Sequence, residues 1–501
     1  MSAVAGAPPG EAVRRYLRVA ERQPTTAILS TDWRQRPSTL KRYAPFGAVS
    51  LAAPGSALEV LSRLLSDSYG LVRYRWDDVG SYAGHRFPGM PSPGRAHRAV
   101  ASGGGLYPSE LYLVTAQGWG GGRPASVLHY DPAGHALDPV RPGDWREAIA
   151  SPAGLAIVVT SVFARTAFKY QEFGFRLQCL DAGVLIGQLL TAIESAGLSA
   201  QLRLRFDDAA VAAVLGLETD VEAPLALIDM EGVTGTGTAA TGERPESAAR
   251  QPSPRTKPAA VLDVLPLTRD LHRSARTAVG VRWPAPLAAD APLPAAIARV
   301  ELPQPSPRSL TAAIAQRRSL NGRFGTDAVP LAGLAAVLDA AYRWPSARAA
   351  RAGLDHLIPL CVVHRVDGVQ PGLYRYRPDT HDLHLLRPAD LRMAMAPTDL
   401  IHAQFLGDHG AGAVLIPLGD YERGLAAAGD RWFQMQNIPA GISIQRATLA
   451  SAALGLACRV VCSFDVSHLA GVLGLQTGPL RPLCQLLIGS TGTDVGYDQP
   501  I

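Results

Sequence analysis

The stretch Gly197-Leu198 … Phe206-Asp207 … Val214-Leu215-Gly216-Leu217 returns 258 residues later as Gly455-Leu456 … Phe464-Asp465 … Val472-Leu473-Gly474-Leu475, with no gap between its parts. Two further pairs run in the same order along the chain. Tyr130, Pro132, His135 and Leu137 match Tyr376, Pro378, His381 and Leu383, and Arg36, Ser38, Arg42 and Tyr43 match Arg317, Ser319, Arg323 and Phe324. Self-similarity in fixed order marks a duplicated structural unit. The chain therefore reads as one domain carried twice.

Between the copies the composition changes. Residues 232–260 are rich in Gly, Thr, Ser and Pro with few large apolar side chains, too little to offset their ordering entropy. A mobile linker is expected there, followed by a short helix within 261–276 and Pro-rich chain to about 307. The expected division is an N-terminal extension (1–35), a first domain (36–231), a linker (232–307) and a second domain (308–501).

Within copy one, periodicity predicts helices at 10–22, 56–69 and 178–197 and strands at 110–114, 126–130, 155–160 and 225–230. Copy two repeats the pattern, with helices at 309–317, 331–342 and 440–456 and strands near 358–364, 413–417 and 484–488. Mixed strands and helices in this order predict an α+β sandwich. Gly183 and Gly187, four apart on the long helix, would let another helix approach closely.

Composition bounds the function. A length of 501 residues, 47% hydrophobic and 18% charged, fits a globular protein of several domains. The net charge of +5 is mild, and no basic run carries interleaved aromatics, so nucleic-acid binding is not indicated. No apolar run reaches the ~18 residues of a membrane span. The first residues lack the order of a secretory signal, so a cytoplasmic protein is expected. Five cysteines, none in a CxxC pair, read as buried apolar residues rather than disulfides or a metal site.

Three motifs could carry chemistry. Ser102-Gly103-Gly104-Gly105-Leu106-Tyr107-Pro108 leads from a loop into a strand. Its glycines permit conformations closed to other residues and close approach of a flat ligand, although a flexible loop would look the same. Arg317-Arg318-Ser319 with Asn321 and Arg323 could grip a phosphate through charge-assisted bonds, or be a solvated helix end. Lys169-Tyr170 could form a base pair, since a cation beside a phenol favours the phenolate. Adjacent residues on a helix face apart, so joint action needs a turn there.

Together these motifs resemble the nitroreductase-like flavoproteins, in particular the SagB-type azoline dehydrogenases that make thiazoles and oxazoles in ribosomally made, modified peptides such as thiopeptides. The resemblance covers residues 36–230 and 308–490 and rests on the loop at 102–108, the Lys169-Tyr170 pair and Asp181-Ala182-Gly183. It implies a tandem α+β sandwich forming an intramolecular pseudo-dimer, with FMN bound between the copies. One complete site is expected: Arg317, Arg318, Ser319, Asn321 and Arg323 of copy two on the phosphate; Ser102, Gly103, Gly104, Gly105 and Leu106 of copy one at the ring; and Val460, Cys462 and Ser463 of copy two nearby. Lys169 and Tyr170 would act as base and orienting partner in either order, taking the azoline Cα proton while a β-hydrogen leaves as hydride. The reciprocal site is expected to be dead, because 350–357 has lost the glycine loop and copy two has no Lys-Tyr pair. In copy one the segment Arg36–Lys41 is expected as the partner phosphate element. Two departures from the family pattern stand out: Arg323 is displaced from its usual spacing after Ser319, and the tail at 492–501 lacks basic residues. The expected partners are a modified precursor peptide and a cyclodehydratase or other recognition protein, as no leader-binding domain is evident. A general NAD(P)H-dependent nitro- or quinone reductase and a flavin-free scaffold are the alternatives.

Overall fold

The computed structural model describes the chain except residues 1–8, 22–30, 32, 45–46, 53–57, 78–80, 83–84, 87–93, 232–247, 255, 277–282, 285, 287–292, 306–308, 345–347, 349–351, 399–409 and 494–495. Helix α1 (Glu11–Ala20) precedes copy one. Then come β1 (Val49–Ser50), α2 (Glu59–Tyr69) and an excursion of strands β2 (Leu71–Asp77), β3 (Ser81–Tyr82), β4 (His85–Arg86) and β5 (Gly94–Arg98). The domain continues through β6 (Ser109–Thr115), β7 (Ser126–Asp131), β8 (Ala136–Pro142), β9 (Leu155–Val162), α3 (Phe163–Tyr170), α4 (Gly174–Ser195), β10 (Ser199–Arg203), α5 (Asp208–Leu215) and β11 (Glu222–Glu231).

Helix α6 (Pro266–Ala275) and strand β12 (Ala298–Glu301) lie between the copies in sequence. Copy two then runs α7 (Leu331–Tyr342), β13 (Ile358–Val363), β14 (Gly372–Arg377), β15 (Asp382–Pro388), β16 (Ala413–Asp420), α8 (Tyr421–Ala428), α9 (Trp432–Ala453), β17 (Ala457–Val461), α10 (Val466–Leu473), β18 (Leu480–Pro482), β19 (Gln485–Gly489) and β20 (Gly496–Pro500). The two antiparallel sheets have matching orders, β1-β8-β7-β6-β9-β11-β10 and β12-β15-β14-β13-β16-β19-β17, with β18 beside β16. Every element from β9 to α5 recurs in copy two shifted by 258, from β16 to α10.

The local reasons also repeat. Asp207 and Asp465 cap α5 and α10 through their carboxylates, and Gly216 and Gly474 end those helices in the left-handed region. His135 and His381 both have positive φ, and each bonds its tyrosine, Tyr130 at 3.0 Å and Tyr376 at 2.8 Å.

The match between segments 36–43 and 317–324 does not survive. Tyr43 packs beside Tyr112 of β6 and His129 of β7, whereas Phe324 lies against Gly489 of β19, the counterpart of β11. Segment 36–43 is therefore not the structural equivalent of 317–324. The expected helix 309–317 is also absent. Only a 3-10 turn, Thr311–Ala313, forms, because the chain must leave helical geometry for the Leu320 amide to reach the Cys458 carbonyl at 2.9 Å.

The long helices α4 and α9 cross at the centre. From Gly174 to Ile193, α4 is buried at every position except Asp181, and α9 is buried from Trp432 to Ser451. A helix buried on all sides is a core helix. By length and hydropathy the run Phe163–Ser195 could also cross a membrane, but 89% of its most apolar window is covered by protein. A Cβ on Gly183 would lie 2.9 Å from the Cα of Gly441, and one on Gly441 would lie 2.9 Å from the Cα of Gly183. Gly183 also abuts Ile438 and Gly187 abuts Ile442, so both glycines face the other copy as their spacing suggested.

The chain between the copies is held more than its composition suggests. Of the stretch expected to be mobile, 232–247 lie outside the described residues. Beyond it, the Arg250 amide bonds the Val140 carbonyl at 2.9 Å and the Ser253 amide bonds the Arg42 carbonyl at 2.7 Å. The expected short helix is α6, whose first turn is capped by the Glu172 carboxylate through the Leu267 and Thr268 amides. Strand β12 joins the sheet of copy two beside β15.

A composite site between the two copies

The glycine loop is built on copy one. Ser102 is followed by a 3-10 turn at Gly103–Gly105, with Gly104 and Gly105 at φ 65° and 66°. Tyr107 also has positive φ, 47°, an uncommon conformation for an aromatic residue. Its amide is fixed to the Ser102 hydroxyl at 2.8 Å. The loop is tied to α4 by Asp181, whose carboxylate accepts from the Ser102 hydroxyl at 2.6 Å and from the Gly103 amide at 3.1 Å. Desolvation of this carboxylate, in a residue that is half-buried as a whole, lifts its pKa to about 7, against the lowering effect of those two bonds.

Lys169 and Tyr170 end α3, and the turn they need is present. Gln171 follows at φ 48° and ψ −133°, so the helix stops abruptly. Both side chains then reach the same place: a Cβ on Gly104 would lie 2.8 Å from the Tyr170 hydroxyl and 3.3 Å from the Lys169 Nζ. The ammonium lies 5.0 Å from the centroid of the Tyr170 ring. A Cβ on Gly105, by contrast, would meet nothing within 4 Å. The pair thus converges under an open glycine cradle.

Copy two supplies the cations. Arg317 is buried, and its Nε donates to the Ala99 carbonyl at 3.0 Å, three residues before Ser102. Arg73 of β2 holds the same loop by donating to the Ala315 and Arg317 carbonyls, both at 2.9 Å. Among the described residues no carboxylate pairs with Arg317, and burial and Arg73 lower its pKa. A buried guanidinium in that position calls for an anionic ligand. Arg318 is half exposed and lies 3.7 Å from Asp498, whose carboxylate also meets Arg75 at 3.2 Å and Arg73 at 3.8 Å. Ser319 is half-buried in the same turn. Asn321 accepts from Arg459, which also bonds the Leu320 carbonyl at 2.6 Å, and Arg323 is exposed, with its amide on the Thr493 carbonyl. Of the proposed phosphate ligands, then, Arg317 is held at the glycine loop while the Asn321 side-chain carbonyl is committed to Arg459 of β17.

Val460, Cys462 and Ser463 are half-buried. Asp181 acts electrostatically on Cys462 across the boundary between the copies. Burial pushes the Cys462 thiol up to about 12, which leaves it protonated and unreactive at neutral pH. Arg176 of α4 locks the copies together here by donating to the Pro482 and Leu483 carbonyls, at 2.9 and 2.6 Å.

Segment 36–41 is not a second phosphate element. Arg36 donates to the Gly105 carbonyl of its own copy at 3.2 Å, and Arg165 holds the Ser38 carbonyl at 2.9 Å. Lys41 is fully buried, bonded to Glu222 at 2.6 Å and to the Tyr112 hydroxyl. Nearby, Glu110 is paired with Arg165 and with His129 at 2.9 Å, and the Arg165 guanidinium holds its carboxyl down at about 2. Copy two has Leu418 and Leu480 at the positions of Thr160 and Glu222, inside an apolar cluster. The residues that sequence reasoning passed over are Arg73, Arg75, Arg459 and Asp498. Arg73 and Arg75, two apart in a strand, share one face, and that spacing was the available signal.

The geometry fits FMN: an open glycine cradle for a flat ring, a Lys-Tyr pair beneath it, and beyond it a buried arginine that pairs with no carboxylate among the described residues. Comparison with known proteins agrees on the fold. The sequence matches the Nitroreductase family profile twice, over residues 57–232 and 314–490. The crystal structure of an Anabaena variabilis protein assigned to the nitroreductases superposes with a TM-score of 0.75 at 23% identity, covering 97% of this chain and all of that one. The chain is also 29% identical over 122 residues to the microcin B17-processing protein McbC of Escherichia coli, a match that spans 22% of this chain and 44% of that relative's length. The E. coli microcin synthetase McbBCD complex with truncated pro-MccB17 aligns at 18% identity over 47% of this chain and 85% of the matched one, with a TM-score of only 0.28. The two profile matches, falling on two sheets of the same order, place the chain in the nitroreductase family of oxidoreductases, with the family fold present twice.

Proposed function

We propose that the protein is an FMN-dependent dehydrogenase that oxidises peptide azolines, thiazoline or oxazoline, to the corresponding azoles. The observation that carries this reading is the convergence of Lys169 and Tyr170 on Gly104, beside the open space at Gly105. A reductase that only passes electrons from a nicotinamide needs no such base. Aromatising an azoline does, because the Cα proton must leave together with a β-hydrogen. The likeness to McbC, a protein named for processing microcin B17, supports the same reading.

FMN bound in this cradle would supply the two-electron acceptor for the reaction. Arg317 would hold its phosphate, assisted by Arg318 and Ser319. The loop from Ser102 to Leu106 would press on the ring, with Asp181 fixing the loop from behind. Lys169 and Tyr170 would share the roles of base and orienting partner for the Cα proton. Val460, Cys462 and Ser463 would close the ring pocket from copy two. The substrate would be a modified precursor peptide, delivered by a cyclodehydratase or similar recognition protein in the cytoplasm.

The test is direct. The purified protein is expected to be yellow, to carry one FMN per chain, and to remove two mass units per ring from an azoline-containing peptide under air. Turnover of nitroarenes or quinones with NAD(P)H but none of the azoline would replace this reading with that of a general reductase. A colourless protein that binds no added FMN would leave only a scaffold.

A further inference from the structure

Among its described residues the second copy keeps part of the backbone of the site but not its opening. Strand pairing fixes the equivalence: Glu110 opposes Thr160, and Ile358 opposes Leu418, which is Thr160 shifted by 258. Gly353-Leu354 therefore stands where Gly105-Leu106 stands in copy one. Gly353 keeps positive φ, 74°. Lys169 and Tyr170 correspond to Ala427 and Ala428, and Gln171 corresponds to Gly429, which has nearly the same backbone angles, φ 54° and ψ −148°. Asp181 becomes Pro439. Each replacement removes a polar group, and the three at 427–429 also remove bulk, leaving a hollow beside Gly353 that Pro439 walls on one side, 2.9 Å from an added Cβ.

That hollow is filled from the chain between the copies. A Cβ on Gly353 would lie 2.6 Å from the indole of Trp283, whereas the same construction on Gly105 meets open space. The indole stacks on His356 with ring centroids 5.0 Å apart and planes 7° from parallel, and stands edge-on to Trp432 at 6.2 Å. Arg423 pins the segment by donating to the Pro286 carbonyl at 2.8 Å. Stacked and T-shaped contacts of this kind are the favourable geometries for aromatic pairs.

We infer that the second copy retains a binding site for a planar aromatic ring, occupied by the protein's own Trp283. The indole lies where copy one leaves room for a flat ligand, so the site is cryptic and its resident occupant is internal. The inference rests on the equivalence of Gly105 and Gly353, not on the identity of the ligand at Gly105. It would stand even if copy one bound no flavin.

Trp283→Ala in the full-length protein empties the site. A cavity lined by aromatic and apolar groups binds a ring of matching shape, and binding to the folded state alone raises the melting temperature. W283A is expected to lower the apparent Tm by roughly 4 to 8 °C. Millimolar indole should restore several degrees to W283A and almost none to the wild type. W283F, which keeps a ring, should fall between the two. A W283A protein that melts within 1 °C of wild type, or one whose Tm responds to indole no more than wild type does, overturns the inference. If W283A does not fold, W283L takes its place with benzene as the probe, and the same absence of a ligand-dependent shift overturns it.

Discussion

Gly183 and Gly441 touch across the centre of the molecule, and they are the same residue of the repeat, since 441 − 183 = 258. The neighbours repeat as well: Gly183 abuts Ile438 and Gly441 abuts Leu180, again 258 apart. This reciprocity is the signature of a two-fold, isologous interface, here within one chain. Alanine at either position is expected to force α4 and α9 apart. In an exposed helix Gly→Ala would help by up to ~1 kcal/mol, but overpacking costs typically ~1–3 kcal/mol or more. Both G183A and G441A should therefore be destabilised by a similar amount, read as a lower apparent Tm. A neutral G183A would mean that the helices can separate freely.

Arg317 should dominate cofactor affinity. It is buried at the glycine loop without a carboxylate, whereas Arg318 is half exposed and shares Asp498 with two other arginines. Losing one charge-assisted anchor is worth ~1.5–3 kcal/mol, or roughly 10- to 100-fold. R317A is expected to weaken FMN binding by that factor, measured by quenching of flavin fluorescence on titration. R318A should weaken it less than ~5-fold. The reverse order would relocate the phosphate site.

Lys169 and Tyr170 are expected to affect turnover and not flavin content. General acid–base catalysis typically contributes ~10²–10⁴-fold. K169A and Y170F should each lose activity on an azoline peptide within that range while purifying with wild-type flavin. If both keep full activity, the base lies elsewhere.

Asp181 gives the protein a pH signature. Its folded pKa of about 7 lies above the ~3.9 of an unfolded aspartate, so between those values the folded state holds a proton that the unfolded chain has released. The contribution is greatest at the acidic end and falls as pH rises through about 7. Burial holds His272, His356 and His364 neutral down to about 4, which acts in the opposite sense over the same window. The informative quantity is thus the difference between wild type and D181N. That difference in Tm should change from pH 5 to about pH 7 and level off above it, and a constant offset from pH 5 would exclude titration of Asp181.

Glu222→Gln tests the buried network of copy one. It would leave Lys41 buried with only neutral partners, and breaking a buried ion pair from one side costs ~3–5 kcal/mol. E222Q should therefore be among the most destabilising substitutions in the sheet. Leu480, the corresponding residue in copy two, sits among apolar neighbours and has no charge to strand.

Lys41 also shows where the sequence misleads. It stood in a segment that shares four letters with Arg317–Phe324, yet it is buried against Glu222 and Tyr112 of its own sheet. Four matched letters cannot register that Thr160 and Glu222 form a polar pocket waiting for an ammonium. The helices and strands with a constant offset were legible, because their caps and glycines are dictated locally: Asp207 and Asp465, Gly216 and Gly474. The glycine loop and Lys169-Tyr170 were legible as motifs. Their convergence was not, because only the folded chain brings the end of α3 against the glycine loop. Arg73, Asp498 and Trp283 act from strand or linker positions remote from every motif, so only the folded chain brings them to the sites.

The reciprocity at Gly183 and Gly441 has a genetic consequence. In a homodimer every substitution enters both halves of the interface at once, so neither site can change without the other. Once the two copies share one gene but occupy separate codons, that bond is broken. Asp181 can be kept while Pro439 replaces its twin, and Gln171 can stand where the sister copy keeps a glycine. Selection can then maintain one site for chemistry and turn the other to any use that preserves the packing between α4 and α9.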